Sequence, residues 1–130
     1  MSVRPPEQDW IDKADDDLEV ARRALGPPNP LPWVACFHAQ QCAEKFLKGF
    51  LVSQNLEFPR VHDLVYLVQR RNEVEPSFDQ LMTTARILMR FSAAIRYPVD
   101  SFDEPDEAEA ATAIEQATQV ASFVRQKLHP

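Results

Sequence analysis

Apolar residues return every three or four positions along most of this chain, and the breaks between those stretches are rich in proline and polar residues. Trp10, Ala14, Leu18, Ala21 and Leu25 form one such stripe and predict an amphipathic helix over 7–25. Asp12, Asp15, Asp16 and Glu19 precede Arg22 and Arg23 along it, the polarity that suits a helix dipole. Adjacent helical residues diverge in direction, so the triplet Asp15-Asp16-Asp17 reads as a solvated face and not as a cation site. Gly26-Pro27-Pro28-Asn29-Pro30 stops the helix, with Gly26 suited to a C-terminal cap and the prolines lacking amide donors.

The second helix is expected over 31–54, with Pro32 tolerated in its first turn. Trp33, Cys36, Ala39, Ala43, Leu47, Phe50 and Leu51 supply its apolar side. The small residues there allow a neighbouring helix to approach closely. Gly49 costs a helix about 1 kcal/mol relative to alanine, which also points to close packing. His38, Gln41, Lys45 and Lys48 lie on the other side, with Gln40 and Glu44 near the boundary. That polar series is expected to face solvent or a second subunit.

Asn55-Leu56-Glu57-Phe58-Pro59 reads as a turn, followed by a third helix over 62–71 with Leu64, Leu67 and Val68 inward. Asp63 is placed to contact early-turn amides. A polar break at 72–76 leads to a fourth helix over 77–95, whose core side is Phe78, Leu81, Met82, Ala85, Leu88, Met89 and Ile95. The methionines are read as fillers of irregular core gaps. Pro98 ends it. The fifth helix is expected over 106–128 on Ala110, Ile114, Ala117, Ala121, Val124 and Leu128, with acids at its start and Arg125 and Lys127 at its end. The pattern predicts an all-α, antiparallel up-and-down bundle of four or five helices, a single domain over 1–130.

Composition sharpens this picture. The chain has 130 residues, 45% hydrophobic, enough for a core that needs no staples. A formal charge of −6 argues mildly against nonspecific RNA or DNA binding. Cys36 and Cys42, six positions apart on one helix, are expected to be buried reduced thiols. No metal-ligand spacing surrounds them, and no metal or cofactor is expected. Neither an export signal nor a membrane span is visible, so a cytoplasmic location is the default expectation.

The run Phe37-His38-Ala39-Gln40-Gln41-Cys42-Ala43-Glu44-Lys45-Phe46-Leu47-Lys48, followed by Pro59, His62-Asp63-Leu64 and Arg96-Tyr97-Pro98, resembles the HEPN family over nearly the whole chain. The resemblance implies a helical bundle, often a homodimer, and frequently a minimal nucleotidyltransferase as partner, in some pairs as toxin and antitoxin. Other members of that family are metal-independent ribonucleases whose signature is an Arg followed at four to six residues by a His. Arg96 fits the Arg position, but Tyr97-Pro98-Val99-Asp100-Ser101-Phe102-Asp103 holds no His. RNA cleavage needs a proton carrier near neutral pH, a task suited to His and not to Arg.

The expected function is therefore a non-catalytic or weakly catalytic domain that binds a nucleotide, a nucleotidyltransferase, or both. Arg96, Tyr97, Lys45 and Lys48 are its candidate ligand contacts. Gln41, Glu44, His62 and Asp63 are candidate interaction or structural polar groups. The alternatives are a metal-independent endoribonuclease, with Arg96 and an unconventional His62 or His38, and a purely structural interaction domain. RNA as a partner is possible on this reading but not favoured.

Overall fold

The computed structural model describes residues 3–58, 63–72, 76–91 and 104–130, and among them every regular element is helical. Helix α1 spans Gln8–Leu25, α2 Pro32–Ser53, α3 Leu64–Asn72, α4 Met82–Met89 and α5 Glu107–Leu128, with a 3-10 segment over Pro76–Leu81 leading into α4. The all-helical bundle agrees with the sequence pattern. One hydrophobic cluster draws side chains from all of these segments.

Helix α2 occupies the centre, packing most extensively on α1 and then on α5, with smaller contacts to α3 and α4. Its small residues Ala35, Cys36, Ala39, Cys42 and Ala43 are buried and allow that crowding. A Cβ at Gly49 would stand 3.0 Å from Trp10 Cβ and 3.2 Å from Ile11 Cδ1, so α1 crosses where α2 has no side chain. The close approach expected at Gly49 is therefore present. Trp33, expected on the apolar side, is instead 39% exposed. The buried positions of α2 begin at Ala35, leaving its first turn outside the core.

The helix ends follow local chemistry. Asn55 adopts a left-handed φ of 56° after α2, a conformation that asparagine tolerates better than most residues. Its amide donates to the Val52 carbonyl at 3.0 Å, and the Leu56 amide donates to Leu51 at 2.9 Å, closing the terminal carbonyls in a Schellman arrangement. Asp63 accepts a 3.0 Å hydrogen bond from the Tyr66 amide at the start of α3, the early-turn contact expected of it. Asp106 does the same for the Glu109 amide at 2.7 Å. Gly26 departs from expectation: it is extended, with φ −78° and ψ 162°, and caps α1 by donating its amide N–H to the Arg23 carbonyl at 3.1 Å, without left-handed geometry.

The continuous fourth helix expected over 77–95 is also corrected. Pro76–Leu81 winds as 3-10 before α4 begins at Met82. In a 3-10 turn, side chains three apart eclipse one another, so Phe78 and Leu81 both face the core and are buried. Phe78 stacks on Phe50 of α2 at 5.0 Å and meets Phe123 of α5 edge-on at 4.9 Å. Leu64, Leu67 and Val68 are buried in α3 as expected. In α5, Ala113 and Val120 join the buried set, while Ile114 and Leu128 are only partly covered. Ile95 lies outside the described residues.

Candidate functional site

The polar series of α2 is not one solvated face. Gln40, Glu44 and Lys48 are buried. They repeat at i, i+4 and i+8 and so share one side of the helix, where Lys48 Nζ lies 3.2 Å from Glu44 Oε2. Gln40 donates to Glu44 Oε1 at 3.4 Å, and Gln41 donates to Gln40 at 2.7 Å. The Lys48 ammonium also sits 5.9 Å from the Trp10 ring centre and 5.7 Å from that of Phe58. Carboxylate, amide and aromatic faces thus replace the water that two buried charges lose. Lys48 is sealed from solvent.

A second cluster joins α1 to α2. Asp17, expected on a solvated face, is buried at 8% exposure. The reason is its register: three positions after Ala14 and four before Ala21, it sits inside the apolar stripe. Asp17 Oδ1 lies 2.8 Å from His38 Nδ1, and Oδ2 accepts from Lys45 Nζ at 2.5 Å. His38 and Lys45 are seven positions apart on one face of α2, and each is about three-quarters covered. Asp17 therefore fixes the orientation of His38 and neutralises Lys45.

An open groove lies elsewhere, between α4 and the start of α5. This groove of about 480 Å³ is lined by Arg86, Ile87, Arg90, Phe91, Asp106, Ala108, Glu109 and Thr112. Arg86 and Ile87 are exposed. Arg90 Nη1 lies 2.5 Å from Glu109 Oε2, and the Arg90 guanidinium stands 5.1 Å from the Phe91 ring centre. Thr84 donates to Gln116 at 2.6 Å, fixing α4 against α5 below. The groove combines an apolar floor with two cations on α4 and two acids on α5. Such a surface can take a small ligand that combines an apolar ring with charged or polar groups at its edge.

Both cysteines are free and buried, as expected. Burial first, and the nearby Glu109 charge second, push the Cys36 thiol up to about 12. Burial and then Asp17 push Cys42 up to about 12 as well. Neither thiol is a nucleophile at neutral pH. Among the described residues, no group of three or more His, Cys, Asp or Glu side chains is arranged to hold a metal ion, and no helix is long and apolar enough to cross a membrane.

Of the residues that the sequence singles out, the structure brings His38 and Lys45 together through Asp17, and Glu44 and Lys48 together in the interior. It does not unite Lys45 and Lys48 in one pair, since each faces a different carboxylate. His62, Arg96 and Tyr97 lie outside the described residues. Sequence reasoning missed Asp17 as a buried partner, although an acid inside an apolar stripe was a usable signal. Arg86 and Arg90, four positions apart, share a face of their helix, but nothing in the sequence placed Glu109 opposite them.

The HEPN domain family model matches residues 7–127. The chain belongs to the HEPN family. Two solved structures are similar to this HEPN chain over nearly its full length. TT1696 from Thermus thermophilus superposes with a TM-score of 0.82 at 27% identity, over 95% of this chain and 99% of that one. ST0689, described as an archaeal HEPN homologue, superposes with a TM-score of 0.71 at 28% identity, over 93% and 96%. No curated protein matches the sequence.

Proposed function

We propose that this HEPN domain binds a nucleotide in the α4–α5 groove, acts as a homodimer alongside a minimal nucleotidyltransferase, and does not cut RNA as its main activity. The observation that carries the nucleotide is the pairing of Arg86 and Arg90 with an apolar floor in one open groove. Guanidinium groups recognise phosphate by paired N–H donors, and Arg also stacks on planar rings. Arg96 and Tyr97 follow Phe91 by five and six positions in the chain and are proposed as further phosphate and base contacts. Lys45 and Lys48 are left out of the site, because both sit on α2, largely covered in ion pairs, and neither lines the groove. The homodimer and the nucleotidyltransferase partner rest on family membership.

Isothermal titration with a panel of nucleotides tests this reading. The wild type is expected to bind at least one of them, and Arg86→Ala/Arg90→Ala to weaken it by about tenfold or more, a loss of about 1.4 kcal/mol. Absence of binding across the panel would overturn it.

One observation favours the ribonuclease as a second reading: Asp17 holds His38 by Nδ1, the orientation a general base requires. Cleavage of short RNAs in EDTA, lost in both Arg96→Ala and His38→Ala, would replace the binding assignment with the enzymatic one.

A further inference from the structure

We infer that the α4–α5 groove is built for a nucleoside monophosphate and that Glu109 sets this limit against longer phosphate chains. The inference rests on the nucleotide reading of the groove and adds the ligand's charge class.

The groove's charges are ordered. Arg86 and Arg90 bring two positive charges on the α4 wall, and Asp106 and Glu109 bring two negative charges on the facing α5 wall. The four charges sum to zero, and a terminal phosphate carries about −1.5 to −2 at neutral pH, so a single phosphate is held on Arg90 only by displacing Glu109. Each further phosphate would bring more negative charge up to a wall that already carries two carboxylates. Repulsion between like charges grows in proportion to ligand charge, so Glu109 penalises a triphosphate more than a monophosphate and leaves a neutral nucleoside nearly untouched.

The geometry is compatible with this exchange. In the structure Glu109 itself occupies Arg90, at 2.5 Å, with the two side chains 43% and 42% exposed. An ion pair this wet contributes little stability, so a phosphate can take its place on Arg90 without disturbing the helices. Asp106 stays fixed at the rim by accepting the Glu109 amide. A groove of about 480 Å³ has room for one small ligand, with Ile87 and Phe91 beneath its ring. Thr112 offers a hydroxyl at the same wall for a ribose.

The test titrates adenosine, adenosine monophosphate and adenosine triphosphate, without divalent metal, into the full-length wild type and into Glu109→Gln, Glu109→Ser and Arg90→Ala. The wild type is expected to bind the monophosphate about fivefold or more tighter than either other ligand. Both Glu109 variants are expected to lower the ratio of monophosphate to triphosphate affinity by about threefold or more, while adenosine changes by less than about twofold. Arg90→Ala should weaken the monophosphate and spare adenosine. A wild type that prefers the triphosphate, or a ratio that both Glu109 variants leave unmoved, overturns this inference while nucleotide binding stands. A wild type that binds none of the three overturns both.

Discussion

Lys48 and Glu44 form an ion pair inside the protein, with their side chains 7% and 4% exposed and 3.2 Å between Nζ and Oε2. Removing one member of such a pair leaves the other as an uncompensated buried charge, at a cost of about 3–5 kcal/mol. Lys48→Ala is expected to lose stability of this order in urea denaturation. Lys48→Met/Glu44→Gln should lose clearly less than the two single changes summed, because neither variant side chain then brings an orphaned charge. Additive losses would show that the two groups do not depend on each other.

Asp17 and Asp16 give a second, internal comparison. Asp17 receives both His38 and Lys45 and is buried, whereas its neighbour Asp16 is exposed. Hydrogen bonds to charged groups contribute about 1.5–3 kcal/mol each, less where solvent reaches the partner as it does here. Asp17→Ala should therefore lower stability by about 2 kcal/mol, and Asp16→Ala should leave the thermal midpoint in place. Equal midpoints for the two variants would remove Asp17 from the α1–α2 contact.

Gly49 sets helix propensity against space. Alanine gains about 1 kcal/mol over glycine within a helix, but its Cβ would press on Trp10 Cβ and Ile11 Cδ1 at 3.0 and 3.2 Å. Overpacking of this kind costs about 1–3 kcal/mol, and both contacts belong to a helix packed along its length. Gly49→Ala is expected to lower the melting temperature, and Gly49→Leu to lower it much further. A rise with alanine would mean that α1 yields at this crossing.

The two thiols make stability depend on alkaline pH. Both are pushed from the ordinary 9.0 up to about 12 in the folded chain. Below the unfolded value both states keep their protons, and the contribution to stability is fully present. As pH rises from about 9 towards 12, unfolded thiols ionise while folded ones do not, so stability falls. Urea midpoints are expected to drop between about pH 8 and about pH 10.5, with the drop reduced in Cys36→Ala/Cys42→Ala. At about pH 8 a thiol reagent should react with the unfolded chain and spare the folded one.

Helix positions were legible because their signals are local. Three- and four-residue apolar spacing, the proline break after Gly26 and the acids at the start of the last helix each act within a few residues of where they stand. The structure moves most of those boundaries by one or two residues. It changes the fourth helix more, where Phe78 and Leu81 reach the core through a 3-10 turn and α4 ends at Met89, short of the expected 95. The polar residues were harder. Gln40, Glu44 and Lys48 look like an outer face when α2 is read alone, and Asp17 looks like one of three equivalent aspartates.

The linear order of residues was enough to establish an all-helical chain, its main inward stripes, the burial of both cysteines and the HEPN resemblance, since periodicity and motif spacing are carried by neighbouring positions. Only the packed structure decided that α2 would be surrounded, that Asp17 would grip His38 and Lys45, and that Glu109 would stand opposite Arg90 in the groove. Those pairings join residues from 19 to 28 positions apart. Their partners are chosen by how helices cross, a geometry that no single helix contains.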